Sequence, residues 1–241
     1  MNDVKSVLSI DFDYFQDVTP EILAEYPDGI DVSSELSTII WGSKYCFSKR
    51  NLLDIKPLSD EISLLRDLLM KQDLETKILI SQSHREIYEW IHDNVSIGEQ
   101  LKLINIDMHH DMINDNKKVD CGNWVTFIMN EYGRDNMYFR WIANPVSFKM
   151  YGFEKDEDES KIFHSYIGTS INDIEIEKFD MIFLCRSDAW FPPHLDTEFS
   201  NIVDLMRSHF YNGKIQSVVA RPRDYLRYIS QIKESTDKIM V

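Results

Sequence analysis

Only three cysteines occur in 241 residues, and none is spaced as Cys-x-x-Cys, so no disulfide framework is expected. No apolar run approaches the roughly 18 residues that a membrane-spanning helix needs, and no stretch reads as a signal peptide. Together these absences lead to the expectation of a reducing, cytoplasmic setting and no membrane partner. Basic residues are also scarce. There are 26 Lys and Arg against 41 Asp and Glu, a formal net charge of −15. Such a balance disfavours nucleic acid and attracts a cationic partner, although an acidic surface equally serves solubility. Internal repeats and low-complexity linkers are missing, and nothing marks a domain boundary, so residues 1–241 are read as a single domain. A composition of 43% hydrophobic and 28% charged residues argues against global disorder. The length suffices for one α/β core.

Along the chain, strand and helix patterns alternate. A strand over 5–12 leads into a long connection, 16–57, broken by Pro20, Pro27, Gly29 and Gly42. Leu58, Ile62, Leu65 and Leu69 then fall at helical spacing. Strand 77–82 precedes helix 85–95, with Ile87 and Ile91 facing inward. Strand 101–107 precedes helix 122–132, with Trp124, Phe127 and Ile128 on one face. Residues 154–160 form an acidic surface loop. Strand 180–185, helix 196–211, strand 215–220 and helix 223–235 close the chain, with Tyr225, Leu226, Ile229 and Ile232 inward in the last helix. Strands separated by helices predict a parallel sheet covered on both faces.

Three of these strands end in groups that bind cations. Leu103 to Asp107 opens into Asp107-x-His109-x-Asp111. Val7 to Ile10 ends in Asp11-x-Asp13, and Ile78 to Ile80 is followed by His84. Side chains alternate along an extended chain, so each i, i+2 set lies on one side. One such motif alone reads equally well as a polar strand end. Three at the carboxyl ends of apolar strands, where open parallel sheets bind ligands, point to one site. Mixed oxygen and nitrogen donors suit a divalent transition metal better than calcium. Six ligands can hold two ions with bridging carboxylates.

With Ser83-His84-Arg85-Glu86-Ile87-Tyr88-Glu89-Trp90, Cys121-Gly122-Asn123-Trp124-Val125 and Ile10 to Phe15, these motifs resemble the arginase and ureohydrolase superfamily. The likeness is closest to its arginase-related branch that includes peptide arginases, which convert arginine side chains of ribosomally made precursor peptides to ornithine. It covers roughly residues 7–15 and 78–130. It implies a three-layer arginase/deacetylase-like α/β fold, two Mn²⁺ held by Asp11, Asp13, His84, Asp107, His109 and Asp111, and an arginine-containing precursor peptide as partner. The order departs from ordinary ureohydrolases: the Asp-x-Asp strand comes first rather than late, as in a circular permutation. Val125 also stands where the arginase motif carries a proton-shuttling histidine.

Guanidinium is a poor electrophile, and two cations about 3.5–4 Å apart acidify a water enough to attack it. A carboxylate opposite should grip the guanidinium through paired hydrogen bonds. Asp188 is assigned that catalytic and substrate-binding role, with Glu86 second. Its segment, Phe183 to Trp190, has Arg186 where a first metal aspartate would fall. Asn123 is read as orienting substrate or capping a helix, and His110 as relaying a proton. His194 is read as reaching the cleft, and Trp41, Trp141 and Trp190 as walling a peptide groove. The alternatives are a small-molecule ureohydrolase of arginase or agmatinase type, a mononuclear zinc deacetylase of the same fold, and a haloacid-dehalogenase-type phosphatase built on Asp11-x-Asp13. The last has Phe15 where threonine is expected. A non-catalytic binding protein is the remaining alternative.

Overall fold

A computed structural model describes residues 4–27, 31–113, 118–152, 167–174, 178–210, 215–217 and 222–239. Its centre is a seven-stranded sheet in which every pairing is parallel. The strands are β1 (Val4–Asp11), β2 (Lys77–Ser81), β3 (Gln100–Asp107), β4 (Met137–Ala143), β5 (Ile167–Gly168), β6 (Met181–Cys185) and β7 (Ile215–Ser217). The order across the sheet is β5-β4-β3-β1-β6-β2-β7. The longer helices are α1 (Ser34–Phe47), α2 (Ser59–Met70), α3 (Glu86–Asn94), α4 (Trp124–Tyr132), α5 (Asp196–His209) and α6 (Tyr225–Ile239).

The expected α/β class is what the chain adopts. Alternation along the strands divides the apolar residues between two cores. Leu8, Ile10, Ile78 and Ile80 join Ile62, Leu65 and Leu69 of α2 and Phe199, Ile202 and Met206 of α5. Val7, Leu79, Leu103 and Phe183 join Ile87, Trp90 and Ile91 of α3 and Trp124, Val125 and Ile128 of α4. One sheet between two helical layers is therefore a three-layer sandwich. The register pairs Ile10 with Ile106, and Asp11 and Ser81 with Cys185. The polar ends of β1, β2, β3 and β6 thus meet at one edge.

Several details differ from the sequence reading. The connection 16–57 contains α1, a 14-residue helix whose N-cap Ser33 accepts from the Leu36 amide. Its Gly42 sits where an added Cβ would come within 2.9 Å of Tyr228 in α6, so α1 and α6 pack closely there. β4 was not expected, because Arg140 interrupts its apolar run. Leu226 is exposed rather than inward. The acidic stretch 154–160 and the end of the expected strand 215–220 lie outside the described residues. Among the described residues no helix is long and apolar enough to cross a membrane.

Candidate metal centre

The end of β1 turns at once. Asp11 accepts from the Asp13 amide at 3.1 Å, which starts a short 3-10 turn over Phe12–Phe15. Asp107 does the same at the end of β3, accepting from the His109 amide at 2.7 Å through Oδ1. Beyond it Asp111 adopts φ +52°, a left-handed conformation unusual for a residue with a Cβ and frequent at functional sites. His84 lies just past β2, in the turn that opens α3.

These segments bring all six expected ligands into one buried cluster. His84 Nδ1 lies 3.1 Å from Asp11 Oδ2, 3.2 Å from Asp107 Oδ2 and 3.0 Å from Asp111 Oδ2. His109 Nδ1 lies 2.9 Å from Asp13 Oδ2 and 3.7 Å from Asp107 Oδ1. Two groups of donors result: Asp11, His84 and Asp107, and Asp13, Asp107 and His109, the donor atoms of each within 4.8 Å of one another. Asp107 belongs to both, one oxygen facing each histidine, as a bridging carboxylate does.

Two observations fit a pair of divalent cations here. First, His84 Nδ1 and Asp13 Oδ2 are buried polar atoms with no hydrogen-bond partner. Close approach without hydrogen-bond geometry is what donors aimed at a shared ion show. Ligands at about 2.1 Å from an octahedral ion lie roughly 3 Å apart along its edges, the spacing seen around His84. Second, four carboxylates and two neutral imidazoles carry a charge that two divalent ions cancel.

Supporting groups fix the ligands. Ser9 Oγ lies 2.7 Å from His84 Nε2, which leaves Nδ1 for the centre. Trp124 Nε1 donates to Asp111 Oδ2 at 2.6 Å, and Asn105 Nδ2 donates to Asp107 Oδ2 at 3.1 Å. The Met108 amide donates to Asp13 Oδ1 at 3.1 Å, and Trp141 Nε1 donates to the Asp107 carbonyl at 2.9 Å. Phe183 stacks on the His84 ring at 5.6 Å, and Trp190 covers His109 at 4.7 Å.

Without cations, this much buried charge shifts its own protons. Burial, then the Asp107 charge, raises Asp11 and pushes Asp111 up to about 7. Burial, then Asp11 and Asp107, holds Asp13 well above the carboxylate range. Burial would raise Asp107 too, but the imidazoles of His109 and His84 beside it outweigh this and hold it low. Burial would lower both histidines. The close carboxylates of Asp107, Asp11 and Asp111 nevertheless hold His84 well above its ordinary value, and the Asp13 charge with the nearby Asp107 does so for His109. His110 is pushed down to about 4 by burial and then His109.

A cavity of about 550 Å³ opens onto the centre, with Asp11, His109 and Asp111 at its floor and Asp31, Tyr151 and Trp190 among its walls. Comparison with protein-family models, curated proteins and solved structures finds no match for the chain. The centre is therefore read on its own geometry.

Several expected roles need correction. Asp188 is buried and already holds a guanidinium: Arg186 Nε and Nη2 reach its two oxygens at 2.5 and 3.0 Å. Both oxygens are engaged, and Asp188 is not among the residues that line the cavity over the centre. Glu86 accepts from Ser81 Oγ at 2.9 Å and does not line the cavity. Asn123 is buried at the head of α4 but makes no capping bond. It spans the preceding loop instead, accepting from the Asp120 amide and donating to the Lys118 carbonyl. His110 accepts from the Met112 amide at 2.9 Å through Nδ1 and stacks on Tyr151. Trp41 is buried and bonded to the Asp188 carbonyl, and His194 is held between Tyr45 and the Ile55 carbonyl. Of the named aromatics, Trp190 alone lines the cavity. Asp31, Arg85, Lys118 and Tyr151 line it without having been singled out for it. Ser9 and Asn105 were within reach of strand alternation, since each sits two residues before a ligand.

Proposed function

We propose that the chain is a binuclear manganese hydrolase that converts arginine side chains of a peptide to ornithine and urea. The shared carboxylate of Asp107, with one oxygen toward His84 and the other toward His109, carries this reading. A mononuclear deacetylase site would leave His84 or Asp111 idle, whereas both point into the cluster. The ions would be held by Asp11, His84, Asp107 and Asp111 on one side and Asp13, Asp107 and His109 on the other. When bound, they acidify water enough to make it a nucleophile near neutral pH.

This chain's own residues supply binding and exclusion. Asp31, on the cavity wall and accepting from Ser83 Oγ through Oδ2, takes the guanidinium-gripping role in place of Asp188. Trp190 and Tyr151 wall off water beside His109. Val125 supplies no proton shuttle, and it is buried beneath the helix. A peptide substrate is favoured by a second depression of about 400 Å³ that shares His109 and Trp190 with the cavity and is walled by Pro20, Leu23, Tyr26 and Met150. It offers apolar surface to residues flanking the target arginine.

Mass spectrometry of arginine-containing peptides incubated with the manganese-loaded protein tests the reaction. Each conversion gains water and loses urea, so the peptide becomes lighter by the mass of cyanamide. Rapid turnover of free arginine or agmatine with none of peptide would assign a small-molecule ureohydrolase. Acetate released from acetyl-lysine peptides would assign a deacetylase.

A further inference from the structure

The cavity above the centre is not uniformly acidic. Arg85, next to His84, and Lys118, before the loop that Asn123 spans, both line it. Both side chains are exposed, and neither forms a hydrogen bond or ion pair among the described residues. The two nearby carboxylates outside the metal set are turned elsewhere: Asp31 toward Ser83 Oγ, and Asp120 Oδ1 toward the Gly122 amide at 2.9 Å. Exposed basic side chains without an ion pair are common elsewhere on the chain; what distinguishes Arg85 and Lys118 is that both line the cavity above the centre.

We propose that Arg85 and Lys118 form an anion-binding wall of this cavity that takes a carboxylate side chain of the substrate, from an acidic residue beside the target arginine. The proposal rests on reading the cavity as the substrate site. The metal floor and Asp31 favour a cationic head, and Arg85 and Lys118 on the same cavity's wall favour a negative charge near it, so the cavity selects a paired charge pattern rather than any cation. Arg85 supplies a planar fork suited to a carboxylate, and Lys118 a mobile point charge. The backbone that carries Lys118 is pinned through its carbonyl by Asn123 Nδ2 at 2.9 Å, which holds the root of that side chain at the cavity wall.

The test compares acetyl-Asp-Arg-amide and acetyl-Arg-Asp-amide with their Asn counterparts, and free arginine with argininamide, on the manganese-loaded full chain. The same set is run on the double variant Arg85→Gln, Lys118→Gln, with manganese content measured for both proteins. If the peptides are turned over, preference is read as a ratio of kcat/KM. If they are not, the proposed reaction fails, and the same ratio is read as Kd by calorimetry. The expected result is a preference of roughly tenfold for Asp over Asn on at least one side of the arginine, lost in the double variant at unchanged manganese content. A ratio near one in the unaltered protein, or one that survives in the double variant, overturns the proposal. A response confined to free arginine against argininamide also overturns it, since the wall would then take a main-chain carboxylate.

Discussion

Each side chain of the centre has a separable job, and substitutions should separate them. Asp107→Asn keeps volume but removes the charge that serves both donor groups, so manganese content should fall together with activity. Retention of both within twofold would show that Asp107 does not bridge. Ser9→Ala leaves His84 Nε2 without its 2.7 Å partner and frees the ring to turn. Manganese affinity should weaken roughly 10–100-fold with the fold intact, measured by titration against a competing chelator. Unchanged affinity would mean that packing against Phe183 and Trp124 alone holds the ring. Asp188→Ala is expected to act on stability rather than on KM. Removing this carboxylate takes the two-point partner from Arg186, which is 1% exposed, leaves its charge to Asp196 at 3.4 Å, and should cost about 3 kcal/mol in denaturant unfolding. A stable variant with a raised KM would return Asp188 to the substrate site.

At the scale of elements, the parallel register does the assembly. β1 lies between β3 and β6, so Asp11 at its end falls beside Asp107 although 95 residues separate Met108 from its partner Asp13. Sheet neighbours fix the site whatever the chain order, which is why the Asp-x-Asp strand at the front reaches the same edge as the Asp-x-His-x-Asp strand. The convergence of the six expected ligands was legible because Asp11, Asp13, Asp107, His109 and Asp111 lie in local motifs, an apolar strand and then donors at i, i+2, and His84 follows a third such strand. The helices α2 to α5 were legible because one apolar stripe each faces the sheet. α1 was not, since Ser37, Thr38 and Gly42 among its inward positions are weak helix formers that the fold accepts for close packing on α6. Asp188 was misread because its partner, two residues earlier, meets it only through the turn at Ser187, where φ is +57°. The cavity walls from Asp31, Lys118 and Tyr151 come from two separate loops and a short helix, Ser147–Tyr151, and no local pattern joins them.

That turn is held from a distance. Arg223, just before α6, donates to the Asp188 carbonyl and the Phe191 carbonyl at 2.7 Å each and pairs with Asp196 at 2.6 Å. It thereby fixes the segment that carries Trp190 over His109. Arg223→Gln should reduce turnover of substrate more than manganese content, because the wall loosens while the ligands stay. Equal loss of both would make it a purely structural residue.

Over the whole molecule, the buried charge couples metal binding to protons. In the metal-free protein His84 and His109 have raised values, above an ordinary 6.5, and Asp111 is raised from 3.8 to about 7. Groups raised in the folded state bind more protons there than in the unfolded chain. Stability of the metal-free protein therefore falls with rising pH, from about 4 to 7 through Asp111 and above about 6.5 through the histidines. Manganese must displace those protons, so its affinity should rise over the same range, with proton release visible in the buffer dependence of the calorimetric heat. Heat independent of the buffer's ionisation enthalpy would contradict these shifts.

The central claim is one centre for two ions, joined by Asp107. Native mass spectrometry of the protein after dialysis against manganese counts them directly. The expected mass is that of the chain plus two manganese ions, with occupancy lost in Asp107→Asn. A chain that takes up one ion or none, or one whose two ions survive that substitution, would contradict the account.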